Sequence, residues 1–153
     1  MKNYSTTIQG VLVEKINEII NPKGSVLKML NNSSNGFIKF GECYFSEIFS
    51  GNVKGWKIHS KQTQNLTVPI GQLKMVLIDF RKTSNTYKKI FEILIGRPNN
   101  FYRLTIPPGI AYSFECISKT TALIVNCTDI KYDTLENQTI PLDDNSIPYS
   151  WKT

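Results

Sequence analysis

An all-β sandwich or barrel is the fold this sequence predicts, and three observations carry the prediction. Short runs rich in Val, Ile, Leu, Phe and Tyr recur along most of the chain. Clusters of Gly, Pro, Asn, Ser and Thr separate them. No helical pattern intervenes between the runs, which argues against a parallel α/β sheet.

The segment before Gly36 is the least decided. Residues 7–20 place apolar side chains near helical spacing, yet their Val and Ile content and Gly10 fit a strand followed by a turn equally well. After the turn-forming stretch 31–36, residues 37–40 and 42–49 read as aromatic-rich strands. Residues 50–52 turn the chain into a strand at 53–59, followed by one at 65–69. The turn at 70–72 leads into the apolar run 73–80, and 84–86 leads into 88–95. Residues 96–100 and 107–109 bracket a strand at 102–106, and 118–120 joins strands at 111–117 and 121–126. The tail, 129–153, is polar apart from anchors such as Tyr149 and Trp151, and reads as a meander packed onto the barrel by its aromatics. No linker, repeat or low-complexity tract divides the chain, so one domain over 1–153 is expected.

Composition narrows the function classes. With 41% hydrophobic and 20% charged residues, the 153-residue chain is ordinary for a soluble globular domain. No apolar run approaches the roughly 20 residues that span a bilayer, and residues 1–7 have no secretory h-region or cleavage site. A cytoplasmic protein without membrane insertion is expected. The charge of +6 is scattered rather than gathered into a stripe. It suits anionic small molecules and gives no sign of nucleic-acid binding. Cys43, Cys116 and Cys127 are odd in number and set among apolar residues, which fits reduced, buried thiols better than a disulfide framework.

The chemistry gathers on Lys54-Gly55-Trp56-Lys57-Ile58-His59. Alternate strand positions share a face, so Trp56 and Ile58 point one way and Lys57 and His59 the other. The basic face is aimed at an interior pocket or at water; the pattern alone leaves both open. A single histidine cannot build the cluster that a metal-binding site needs, so no metal is expected, and no cofactor.

Five segments in register extend the picture: 40–46; Lys54-Gly55-Trp56-Lys57; Leu77-Ile78-Asp79-Phe80-Arg81 with Ser84 and Thr86; 104–114, with its Pro107-Pro108-Gly109; and Asn126-Cys127-Thr128-Asp129 followed by 142–151. Together they resemble the cupin family of dTDP-4-dehydrorhamnose 3,5-epimerases over nearly the whole chain. The resemblance implies a cupin-type jelly roll, a homodimer, and a nucleotide-linked 4-keto-6-deoxyhexose bound inside the barrel. Such an enzyme removes protons beside the C4 ketone and returns them from the opposite face, which calls for a base, an acid and a donor to the enolate.

Set against that pattern, the family's histidine position holds Lys57 and its tyrosine position holds Val125. The aspartate that orients the histidine has no counterpart before Thr153. Three groups remain as candidates for the chemistry: Lys57, His59 two residues further on the same face, and Tyr112, which stands where the family has a histidine. For the nucleotide, the resemblance implies Arg81 as a bidentate grip on a diphosphate, with Gln62, Gln64, Lys28 and Lys54 as further contacts. Three readings follow: an isomerase with altered chemistry, a non-catalytic nucleotide-sugar binder, and a structural or carbohydrate-binding jelly roll with a filled interior.

Overall fold

The computed structural model describes residues 5–151, so most of the 1–7 stretch read for a leader, and the last two residues of the tail, lie outside the described residues. The chain runs through β1 (Leu12–Lys15), β2 (Glu18–Ile19), β3 (Val26–Leu27), β4 (Glu42–Ile48), β5 (Val53–His59) and β6 (Gln64–Ile70). It continues through β7 (Gln72–Asp79), β8 (Ile90–Gly96), β9 (Tyr102–Ile106), β10 (Ile110–Cys116), β11 (Ala122–Thr128) and β12 (Asn137–Thr139). Two five-stranded sheets form, in the orders β1-β9-β6-β11-β4 and β12-β5-β10-β7-β8, beside a small β2-β3 ribbon. All pairings are antiparallel. No helix is present among the described residues, so none is long and apolar enough to cross a membrane.

The sheets face each other over a core that includes Leu66, Val68, Met75, Leu77, Ile93, Leu104 and Ile106. Inward and outward residues alternate along each strand, as the period of a pleated ribbon requires. A second apolar cluster lies on the outer side of the second sheet, where Trp56, Val76, Ile78 and Ala111 meet Ile140 and Ile147 of the tail. Tyr149 and Trp151 pack against it, and the Trp151 indole N–H donates to Ser113 Oγ at 3.0 Å. The aromatic tail therefore anchors as its composition predicted, but it also contributes a strand, β12, which pairs with β5.

Two other expectations are corrected. Residues 37–40 form no strand, and Ile38 and Phe40 are exposed. Their apolar content mimicked a buried run, but they cross the barrel end ahead of Gly41, whose added Cβ would lie 2.3 Å from the Ile130 backbone. Of the cysteines only Cys116 is buried; Cys43 is exposed and Cys127 half-buried. Those two stand directly opposite each other on β4 and β11 with sulfurs 3.2 Å apart. Burial and the Cys43 thiol push the Cys127 thiol up to about 12, so Cys127 remains protonated at neutral pH.

The undecided N-terminal segment resolves as strand. β1 extends the first sheet by pairing with β9, and Glu14 sits directly across from Arg103. Their side chains form a buried ion pair. Arg103 also donates to the carbonyls of Met29 and Asn35, and Asn35 donates to Glu14, so the 28–36 segment closes over that corner of the sheet.

Candidate functional site

β5 carries the site because it lies between β12 and β10 with one face toward the barrel interior. Lys57 and His59 line an interior cavity of about 520 Å³, whereas Trp56 is buried on the opposite face against the tail. Lys54 and Gly55 join the lining. They do so because the β5–β10 register shifts between Tyr112 and Phe114, which re-aims the strand. At Gly55, with φ at +121°, an added Cβ would lie 2.8 Å from Ser113, so only glycine fits that approach.

His59 is 7% exposed and held on both sides. Its Nδ1 lies 2.5 Å from Glu136 Oε1, and its Nε2 lies 3.3 Å from the Tyr112 hydroxyl. The Glu136 carboxylate also accepts the backbone N–H groups of Lys61 and Gln62. Burial alone would raise the Glu136 carboxyl, but His59 and those two amides hold it below its usual range. An ionised carboxylate only accepts, so Nδ1 carries the hydrogen and Nε2, on the cavity side, accepts from the Tyr112 hydroxyl. Burial, with neighbouring Tyr44 and the Glu136 carboxylate adding to it, drives the Tyr112 phenol well above its ordinary value, so it stays a donor.

The facing wall comes from the first sheet: Glu42, Tyr44 and Ser46 of β4, Ile124 and Asn126 of β11, and Leu66 of β6. Val125, the position expected to have lost a phenol, turns outward beside Phe45 and is not part of the lining. Directly across from Asn126 stands Tyr44, so a phenol reaches the cavity from the neighbouring strand instead. Tyr132 adds another at the wall.

The remaining sequence candidates divide between the cavity and other parts of the fold. Lys54 lines the cavity while its ammonium donates to the Glu47 carbonyl, and Lys57 Nζ is 3.4 Å from Asn137 Oδ1. Gln62 lines the cavity, but Gln64, 1% exposed, is behind the wall in a chain of amides. Lys28 belongs to a separate polar hollow of about 410 Å³ with Glu14, Lys15 and Arg103.

Arg81 does not reach the cavity lining. Its guanidinium is bidentate on Asp79, with Nε to Oδ1 at 2.9 Å and Nη2 to Oδ2 at 2.7 Å. Ser84 and Thr86 donate to the same carboxylate, and Arg81 reaches on to the Gln9 carbonyl. The segment read as a diphosphate grip is thus the clasp that ties the β7–β8 loop to the N-terminal segment. Burial raises the Asp79 carboxyl, but the hydrogen bonds from Arg81, Thr86 and Ser84 outweigh it and hold it far below the carboxylate range. A depressed folded-state pKa gives stability that is present above the unfolded value of about 3.9 and lost as pH falls through the folded one. Asp79→Asn is expected to lose on the order of 2–3 kcal/mol at pH 7, with the difference from wild type shrinking below about pH 3, as read by urea denaturation across pH.

Glu136, Tyr44 and Asn126 were not found from the sequence. Glu136 has no local signal in a polar tail, and its partner is 77 positions away. Tyr44 was legible through alternation, since it shares a face with Glu42 and Ser46.

Two antiparallel sheets enclosing a largely apolar cavity with a few ionisable and amide groups on its wall define a cupin-type jelly roll with its candidate site inside the barrel. Residues 5–153 match the model of the dTDP-4-dehydrorhamnose 3,5-epimerase family, and the chain belongs to that family. It is similar to a dTDP sugar isomerase from Desulfovibrio desulfuricans G20, 39% identical with a TM-score of 0.94, over 97% of this chain and 94% of that one. The spore coat polysaccharide biosynthesis protein SpsL of Bacillus subtilis (strain 168) is 28% identical over 148 residues, covering 95% of this chain and 97% of its own. A dTDP-6-deoxy-D-glucose-3,5-epimerase from Legionella pneumophila Philadelphia 1, solved with dTDP-4-keto-L-rhamnose, shares the fold. It has a TM-score of 0.85 at 19% identity, over 98% of this chain and 82% of that one.

Proposed function

We propose that this protein isomerises a nucleotide-linked 4-keto-6-deoxyhexose for deoxysugar or surface-polysaccharide synthesis, with His59 as its base. The observation that carries the reading is His59 on the cavity wall, backed by the Glu136 carboxylate behind it. It supplies a carboxylate-oriented imidazole although Lys57 stands where the family's histidine is expected. Nε2 takes the proton from the carbon beside the ketone, and the C–H electron pair moves into an enolate. Glu136 fixes the ring and supports the imidazolium that forms. The Lys57 ammonium and the Tyr112 hydroxyl both belong to the lining; turning the Tyr112 O–H from His59 Nε2 to the enolate oxygen frees the base and supplies the donor, with Lys57 as the cation. Lys54 and Lys57 also favour an anionic diphosphate at this wall.

The cavity argues against a filled, purely structural interior. The homodimer implied by the resemblance is supported by the outer face beside the β4 edge, where Phe45 is 67% exposed next to Val125. In heavy water, the protein is expected to place deuterium at C3 or C5 of dTDP-linked 4-keto-6-deoxyglucose, followed by NMR. Stabilisation by dTDP without any exchange above an enzyme-free control would leave a binder instead.

A further inference from the structure

Inverting a carbon centre requires a proton donor on the face opposite the base. His59 approaches the cavity from the second sheet, so that donor must come from the first. A continuous line of amides prepares one. Gln62 Nε2 donates to the Ile130 carbonyl at 2.7 Å, and Gln64 Nε2 donates to Gln62 Oε1 at 2.5 Å. Asn126 Nδ2 donates both to Gln64 Oε1, at 2.5 Å, and to the Tyr44 hydroxyl oxygen, at 2.9 Å.

The direction of this line is fixed at its end, because a backbone carbonyl can only accept. Each amide is thereby oriented in turn, and Asn126 is obliged to present its NH₂ to Tyr44. The Tyr44 oxygen therefore accepts, which leaves its own hydrogen to turn into the cavity. Asn126, 3% exposed, keeps one oxygen, Oδ1, with no partner among the described residues. A buried acceptor of that kind in a lined cavity calls for a hydroxyl on the ligand.

We infer that Tyr44 is the acid that reprotonates the substrate on the face opposite His59, and that Asn126 orients it and accepts a sugar hydroxyl at Oδ1. The inference rests on the isomerase reading above. The step balances without a co-reactant: the Tyr44 O–H bond breaks as the new C–H bond forms from the enolate electron pair. The phenolate is held by the Asn126 N–H until solvent returns a proton, and His59 releases the one it took.

The experiment follows dTDP-linked 4-keto-6-deoxyglucose in heavy water, reading deuterium content and product configuration separately. Tyr44→Phe is expected to lose inversion by about 10²–10⁴-fold while His59 still exchanges the C–H with retention, within about threefold of wild type. Asn126→Asp keeps the phenol but puts a pure acceptor beside it, which draws the Tyr44 hydrogen out of the cavity. It is expected to reproduce the same split between exchange and inversion. Thermal stabilisation by dTDP reports that each variant is folded and binds. Inversion by Tyr44→Phe at the wild-type rate overturns the assignment of Tyr44 while leaving the isomerase reading intact. A wild-type protein that neither exchanges nor inverts overturns both.

Discussion

Replacing His59 by Asn should abolish both deuterium exchange and inversion, with a loss of about 10²–10⁴-fold, the range expected for a positioned general base. The reason is geometric. His59 Nε2 is the one imidazole lone pair in the chain, and because Nδ1 is engaged by Glu136 it lies on the cavity side, where among the described residues only the Tyr112 hydroxyl meets it. Glu136→Gln separates the ring's orientation from the base itself. The amide still meets Nδ1 but no longer supports the imidazolium, and it can face the ring with its NH₂, which selects the wrong tautomer. The variant should fall between wild type and His59→Asn in kcat while binding of dTDP is preserved. Equal exchange by His59→Asn and wild type would remove the base assignment, and Lys57→Met would then identify whether the neighbouring ammonium supplies the base.

The largest expected effect on stability lies at the opposite edge of the barrel. Arg103→Leu should cost about 3–5 kcal/mol, because it strands the Glu14 carboxylate in a buried position and removes donors from two backbone carbonyls. Adding Glu14→Leu should recover much of that loss, since an apolar pair of similar volume no longer carries a buried charge. Denaturation midpoints of the single and double variants measure the difference. An Arg103→Leu midpoint equal to that of wild type would mean that water reaches Glu14 in solution.

The barrel was legible in the sequence because alternation is a local property. β5 and β9 fall on the residues that the pattern delimits, and β4, β6, β7, β8, β10 and β11 differ from it only at their ends. The failure at 37–40 has a physical reason: exposed Ile38 and Phe40 carry the same composition as a buried strand. Alternation on β5 also pairs Lys57 with His59 on one face, and the structure turns that face inward. What lies beyond such reading is long-range pairing. Nothing near Glu136 announces His59, and nothing near Tyr44 announces Asn126; each pair is made by strands brought together from distant parts of the chain. Arg81 is the reverse case. A motif familiar from a ligand contact is satisfied here by Asp79 two residues away.

The way the tail is laid down has a consequence for when the protein becomes competent. His59 leaves the ribosome 77 residues ahead of the carboxylate that orients it. That carboxylate immediately precedes β12, the last strand in the chain, which pairs with β5. A nascent chain that has already closed most of its barrel would still hold an undirected imidazole, and the base would be oriented only as the final stretch settles beside β5 in the second sheet.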